Sequence, residues 1–288
     1  MTDVLLVAHH ERSEAAALAR QAARWLAEHG HTAWMTPDDA EPLGLLDLVS
    51  ERKPSSAGLA VSLGGDGTML RAVKMLGGEG VPIIGVNVGL LGYLPEVEAP
   101  GLTGALERWA AGSEAGGWHI EERMMLDAVL CRRGAGEGGE SWTALNEAVV
   151  EKQEAGHTVR LLVRIDGAVF TSYAADGLII ATPTGSTAYS LSARGPVVSP
   201  KHRALLLTPV SPHMLFDRSL VLDPDEQVEI ELLGHRPATL SIDGQTATTL
   251  AEGDNLCVRT SASVARFIRF GESRFHQILK TKFGLSDR

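Results

Sequence analysis

The chain has 288 residues, 44% of them hydrophobic and 22% charged, enough to bury a sizeable core in one or two domains. A formal net charge of −10 argues against nonspecific binding to nucleic acid or to an anionic membrane, so any phosphate-bearing ligand must be drawn in by local groups. The two cysteines, Cys131 and Cys257, stand far apart, and there is neither a signal peptide nor an apolar run of about 18 residues. The expectation is a soluble cytoplasmic protein without a disulfide framework or zinc spacing.

Val4-Leu5-Leu6-Val7-Ala8 reads as a buried parallel strand ending in the polar His9-His10-Glu11-Arg12. Ligands of such sheets gather at carboxyl strand ends. Adjacent residues of an extended chain point opposite ways, so at most one of His9 and His10 is expected to face a ligand. Glu14 to His29 is a helix with Leu18, Ala22, Trp25 and Leu26 on one face; Gly30 closes it and His31 to Met35 starts a second strand. The first turn lacks G-x-G-x-x-G, which disfavours the usual dinucleotide fingerprint there.

A third strand, Ala57 to Val61, leads into Ser62-Leu63-Gly64-Gly65-Asp66-Gly67-Thr68-Met69-Leu70-Arg71 and then into helical spacing. Gly64, Gly65 and Gly67 let a ligand approach the backbone, and the amides that open the helix favour an anion. Asp66 would repel a phosphate, so it suits a proton acceptor or a magnesium contact beside a phosphoryl group; a solvated turn residue is the bland alternative. P-loop and H-R-D signatures are absent. Val81 to Val86 is the next strand, and Asn87 with the glycines after it lies at another carboxyl end, as ligand contact or as plain turn. This alternation predicts a Rossmann-like three-layer α/β domain over residues 1–100, completed by an amphipathic C-terminal helix over 270–288 with Phe275, Ile278, Leu279 and Phe283 on one side.

Past a helix at Leu102 to Ala111, strand patterns take over. About ten short strands with turns every 8–12 residues predict a β-sandwich over 101–269. Gly134 to Gly139 reads as a hairpin loop, and Asp166-Gly167 as a two-residue hairpin turn. The sandwich is interrupted by Asp176-Gly177 and by Thr182-Pro183-Thr184-Gly185-Ser186-Thr187-Ala188-Tyr189-Ser190-Leu191-Ser192. Its hydroxyls and one flat ring suit adenine and ribose; a Ser/Thr-capped short helix is the alternative.

Gly64-Gly65-Asp66-Gly67-Thr68 resembles the signature of a superfamily holding NAD kinases, diacylglycerol-type lipid kinases and 6-phosphofructokinases. Asn87 to Leu94, Asn146-Glu147, Asp176-Gly177 with Thr184 to Tyr189, and Ser241-Ile242-Asp243-Gly244-Gln245 follow in the order found in bacterial NAD kinases, which the chain resembles from about Val61 to Phe283. The resemblance implies magnesium-dependent transfer of a phosphoryl group from ATP or polyphosphate to the adenosine 2′-hydroxyl of NAD, with no dedicated metal cage. It implies that Asp66 is the proton acceptor, with Gly64, Gly65, Gly67, Arg71 and Asn87 around it. Asn146, Glu147 and His157 correspond to dinucleotide contacts, Asp176, Thr184, Thr187, Ala188, Tyr189, Ser190, Leu191 and Ser192 to the adenosine site, and Gln245 to a late contact. Similar enzymes are homodimers or homotetramers. Arg194 departs from the pattern, since relatives usually have glycine there; so does Ala174, where some carry arginine. A lipid kinase would share the glycine turn and the sandwich but has no use for Tyr189 and its hydroxyls. A non-catalytic dinucleotide sensor has no use for Asp66.

Overall fold

The computed structural model describes residues 1–134, 139–272 and 275–285, so residues 135–138 of the expected Gly134–Gly139 loop lie outside the described residues. The chain divides into two compact units: Met1–Glu122 with Ala265–Arg288, and Arg123–Val264.

The first unit runs β1 (Asp3–Ala8), α1 (Ser13–Glu28), β2 (Thr32–Trp34), α2 (Pro37–Ala40), β3 (Leu59–Gly64), α3 (Asp66–Leu76), β4 (Pro82–Asn87), β5 (Val97–Glu98), α4 (Leu102–Ala110) and α5 (Ser113–Gly116). It therefore extends past residue 100 to take in α4 and α5. Its strands pair in parallel in the order β4-β3-β1-β2, and Arg266 and Phe267 of the returning chain add beside β4. Both faces of this sheet are covered, which is why β1, β3 and β4 are apolar without alternation. Val4, Leu6 and Ala8 pack with Leu18, Ala22 and Leu26 of α1 and Leu102 and Leu106 of α4. On the opposite face α3 lies so close that a side chain at Gly85 would meet Met69 Sδ at 2.8 Å. The register Ala8↔Leu63 and Gly64↔Asn87 levels three strand ends, and the loops that leave them carry His9, Gly65 and Val88.

The second unit holds most of β6 (His119–Cys131), β7 (Glu140–Ala144), β8 (Glu147–Lys152), β9 (Val159–Ile165), β10 (Ala168–Ala175), β11 (Gly177–Ala181), α6 (Tyr189–Ser192), β12 (Leu205–Val210), β13 (Leu220–Leu222), β14 (Val228–Leu233), β15 (Ala238–Ile242), β16 (Gln245–Leu250) and most of β17 (Asn255–Arg269). One antiparallel sheet has the order β13-β12-β11-β8-β15-β16; in the other, β10-β9-β14-β17 are neighbours and β6 joins β17 to β7. Leu161, Val163, Ile230 and Val258 of one sheet and Val150, Ile180, Leu207 and Leu240 of the other share one core, so this unit is a β-sandwich. Asp166 and Gly167 close the β9–β10 hairpin with φ of 49° and 76°, the conformation a two-residue turn requires.

Strand β14 alternates buried and half-buried residues, whereas β11 is buried throughout. The difference lies outside the sandwich core. Val149, Ile179, Ala181 and Leu206 pack outward against Ala193 and Val198, so the hydroxyl-rich passage is a cover over the outer face of β8, β11 and β12. The final helix, α7 (Phe275–Lys282), belongs to the first unit and touches it through Tyr93, which meets the Phe275 ring at 6.4 Å and the Lys282 ammonium at 4.8 Å.

Candidate active site

Asp66 is the first residue of α3, two residues beyond the end of β3. Its Oδ1 accepts the backbone N–H groups of Tyr93 and Leu94, both at 2.8 Å, and Oδ2 shares the Tyr93 N–H at 3.0 Å. The loop after β4 thus fixes the carboxylate through backbone amides that no side-chain motion can remove. Gly92 is what permits it: a side chain there would stand 2.5 Å from Asp66 Oδ1. Gly64 is crowded by Thr68, whereas a side chain at Gly65 or Gly67 would meet nothing within 4 Å. No positive φ demands glycine at these two positions, so their bareness leaves room at the helix start.

That room opens onto a cleft of about 420 Å³ lined by His9, His10, Glu11, Arg12, Gly65, Gly67, Thr68 and Arg71. Both histidines line it, contrary to the expectation that only one would. The strand alternation behind that expectation ends at Ala8, and the chain turns at His9 and His10. Arg12 is anchored by donating to the Val88 carbonyl, and Arg71 by donating to the Ala8 carbonyl at 2.5 Å. A parallel-sheet end with two guanidiniums and a helix N-terminus favours an anion, whatever the net charge of the whole chain. Asn87, 4% exposed, points its amide at Glu98 at 3.4–3.5 Å, and its Oδ1 has no partner.

The second unit presents a separate cluster. Asp243 begins the β15–β16 turn with φ 48°, and its carboxylate accepts the backbone N–H groups of Leu145 (2.9 Å), Asn146 (2.7 Å) and Glu147 (3.1 Å). The Asn146 carbonyl in turn accepts Thr182 N–H at 2.8 Å, and Gly185 lies so close to Asn146 that a side chain there would overlap its backbone. Glu147, only 4% exposed, receives the Tyr189 backbone N–H, while its Oε2 has no partner. Burial first, and the Asp243 charge second, push its carboxyl up to about 8, against the opposing Tyr189 amide. Burial thus favours the protonated form of Glu147 over the carboxylate.

In the covering passage most hydroxyls are already engaged. Ser186 bonds Val198 through both its carbonyl and its N–H, Ser190 pairs with Thr208 at 3.1 Å, Thr187 reaches back to the Thr184 carbonyl at 3.4 Å, and Thr184 receives Arg123 at 3.3 Å. Tyr189 is 38% exposed, near enough to Glu151 and Asp176 for their charges, after burial, to raise its phenol. Asp176 pairs with Lys152 at 2.5 Å. Ala188 and Leu191 are half-buried and Ser192 exposed on the same short segment. His157 lies apart, in the exposed loop between β8 and β9 beside Lys152 and Arg236, and Gln245 is exposed at the start of β16. Arg194 has φ 66°, which explains why glycine suits this turn; a non-glycine residue there costs about 1–2 kcal/mol. Ala174 is half-buried in β10, opposite Arg160.

Sequence reasoning passed over Arg12, Asp39 and Asp243 as contributors to these clusters. The available signals were the position of Arg12 and Asp39 just beyond strands β1 and β2, and an Asp-Gly pair whose aspartate has a carboxylate to spare.

The chain thus joins a parallel α/β unit, with a helix opening on Gly-Gly-Asp-Gly, to a β-sandwich in one two-domain protein. Residues 4–113 match the family model of the ATP-NAD kinase N-terminal domain, and residues 145–270 that of the C-terminal domain. The chain is 40% identical to an NAD kinase of Heliobacterium modesticaldum over 98% of both chains. Among solved structures it resembles yeast NADH kinase complexed with NADH, with a TM-score of 0.89 and 25% identity over 100% of this chain and 89% of that one. An NAD kinase from Archaeoglobus fulgidus in complex with ATP shares the fold, with a TM-score of 0.74 and 22% identity over 99% of each. The chain belongs to the NAD kinase family.

Proposed function

We propose that this chain transfers a phosphoryl group from ATP, or from polyphosphate, to the 2′-hydroxyl of the adenosine ribose of NAD, giving NADP. The observation that carries this reading is the Asp66 carboxylate, held by the Tyr93 and Leu94 amides at the head of α3 next to a cationic cleft. A ribose hydroxyl is a weak nucleophile, and a carboxylate that takes its proton during transfer contributes roughly 10²–10⁴-fold. Gly65, Gly67, Arg71 and Arg12 hold the donor phosphates in that cleft, with Asn87 beside it. Asn146, Glu147, Asp176, Tyr189 and Gln245 hold the dinucleotide, with Glu147 donating from its free Oε2. Thr184, Thr187 and Ser190 shape the adenosine site, because their hydroxyls already bond within the fold.

No group of three or more metal ligands occurs among the described residues. The residues fit an ion carried in on the donor, with Glu11 as the cleft carboxylate available to it. Magnesium bound in this way neutralises the transferring phosphate.

Incubating the chain with ATP, magnesium and NAD tests the reading. The expected product is NAD carrying one added phosphate, and ATP consumption without it would refute the assignment. If the Tyr189 ring stacks on adenine, Tyr189→Ala weakens NAD binding by about 1–2 kcal/mol and Tyr189→Phe by less; unchanged affinity in the Ala variant would return Tyr189 to a purely structural part. We take the working form to be a cytoplasmic homodimer or homotetramer, because the sandwich has strand edges to cover. Light scattering that finds a single 30.6 kDa species would contradict this.

A further inference from the structure

The cationic cleft rests on a buried carboxylate that none of the roles above uses. Asp39, in α2, is 2% exposed. Its Oδ1 lies 2.6 Å from His10 Nε2 and 3.2 Å from Arg71 Nη2, while Arg71 Nη1 lies 2.8 Å from the same His10 nitrogen. An imidazole nitrogen has either one proton or one lone pair. It therefore cannot donate to Asp39 and accept from Arg71 together. The shorter contact, to a carboxylate, takes the proton. Arg71 Nη1 is then left facing an N–H, and Arg71 Nε is also buried without a partner. Nε is too deeply buried to reach a ligand, so the donor left unspent in a side chain that lines the cleft is Nη1.

We propose that Asp39 is a positioning residue for the phosphoryl donor: it holds His10 and Arg71 so that the unspent Nη1 of the guanidinium meets the donor's phosphate oxygens. This rests on the reading that the cleft takes the donor. A phosphate oxygen gives Arg71 the acceptor that His10 cannot be, and Asp39 keeps the guanidinium from swinging away with its ligand. Asp39 touches no substrate; it acts through Arg71.

The test uses inorganic tripolyphosphate with magnesium, titrated calorimetrically into the full chain, alongside NAD. Asp39→Asn keeps the shape and removes the charge. It is expected to weaken tripolyphosphate binding about tenfold, which is about 1.4 kcal/mol, and to raise the KM for ATP similarly, with NAD affinity and melting temperature near wild type. Asp39→Glu should recover most of the loss, and in an Arg71→Gln background Asp39→Asn should add less than about twofold. Equal tripolyphosphate affinity in folded Asp39→Asn, or equal losses for tripolyphosphate and NAD, would overturn the proposal. Nitrogen NMR of His10 in the unaltered chain tests it without a variant: a proton on Nε2 is expected, and a proton on Nδ1 alone would overturn it. If the chain makes no NADP, the kinase reading fails, and the tripolyphosphate comparison still decides the part of Asp39.

Discussion

Asp66→Asn should lower turnover by roughly 10²–10⁴-fold, about 3–5 kcal/mol of transition-state stabilisation, while NAD binding stays near that of the unaltered chain. The fold should tolerate the change. An asparagine Oδ1 can still accept the Tyr93 and Leu94 amides at 2.8 Å, so the loop after β4 keeps its anchor. What is lost is the capacity to take a proton at the second position, where Oδ2 has only a shared bond at 3.0 Å. If Asp66 instead holds magnesium, the loss should shrink as magnesium is raised, and affinity for ATP should suffer more than affinity for NAD. Full activity in a folded Asp66→Asn sample would end the mechanism proposed here.

The second large effect is on stability and has a definite pH window. Glu147 is buried, with Asp243 as its charged neighbour and the Tyr189 amide on its other oxygen, and its carboxyl rises from 4.5 to about 8 in the folded chain. The folded state therefore binds the proton more tightly than the unfolded one. The stability this contributes is fully present below about pH 4.5 and is lost as pH rises through about 8. At one pKa unit per 1.36 kcal/mol, ionisation of Glu147 in the unfolded chain costs the fold about 3 kcal/mol at pH 7. Glu147→Gln has no proton to lose and keeps an acceptor for the Tyr189 amide. Its stability relative to the unaltered chain should rise by about that amount between pH 4.5 and pH 7, measured by urea unfolding at each pH. NAD affinity should hold, because the glutamine amide can donate where the protonated Oε2 would. Parallel stability curves would mean that Glu147 is ionised in the fold, and a sharp loss of NAD affinity would mean that it accepts rather than donates.

The parts of the fold visible in the sequence are those set by local rules. Asp66 stood out because a strand, glycines and a helix start are contiguous, and Asp166-Gly167 because a two-residue hairpin needs residues that tolerate positive φ. The continuous apolar runs of β1, β3 and β4 announced a sheet covered on both faces. What stayed hidden depends on distant partners. Asp243 meets Asn146 across 97 residues and Asp39 meets His10 across 29, so neither carboxylate showed its use in its own neighbourhood. The hydroxyl-rich passage was visible as an oddity, but sequence does not separate hydroxyls that face a ligand from those that lock a loop. Ser186 on Val198 and Ser190 on Thr208 are of the second kind. His9 and His10 show a third limit: alternation along a strand predicts side-chain direction only as far as the strand continues, and β1 ends at Ala8.

The most direct test of the kinase assignment follows NADP itself. The purified chain is given NAD, ATP and magnesium, and the product is read with a dehydrogenase that accepts NADP but not NAD. NADP should accumulate in step with the ADP formed, and the signal should vanish when ATP or NAD is omitted. ADP formed without NADP, or no turnover with either ATP or polyphosphate, would contradict the account.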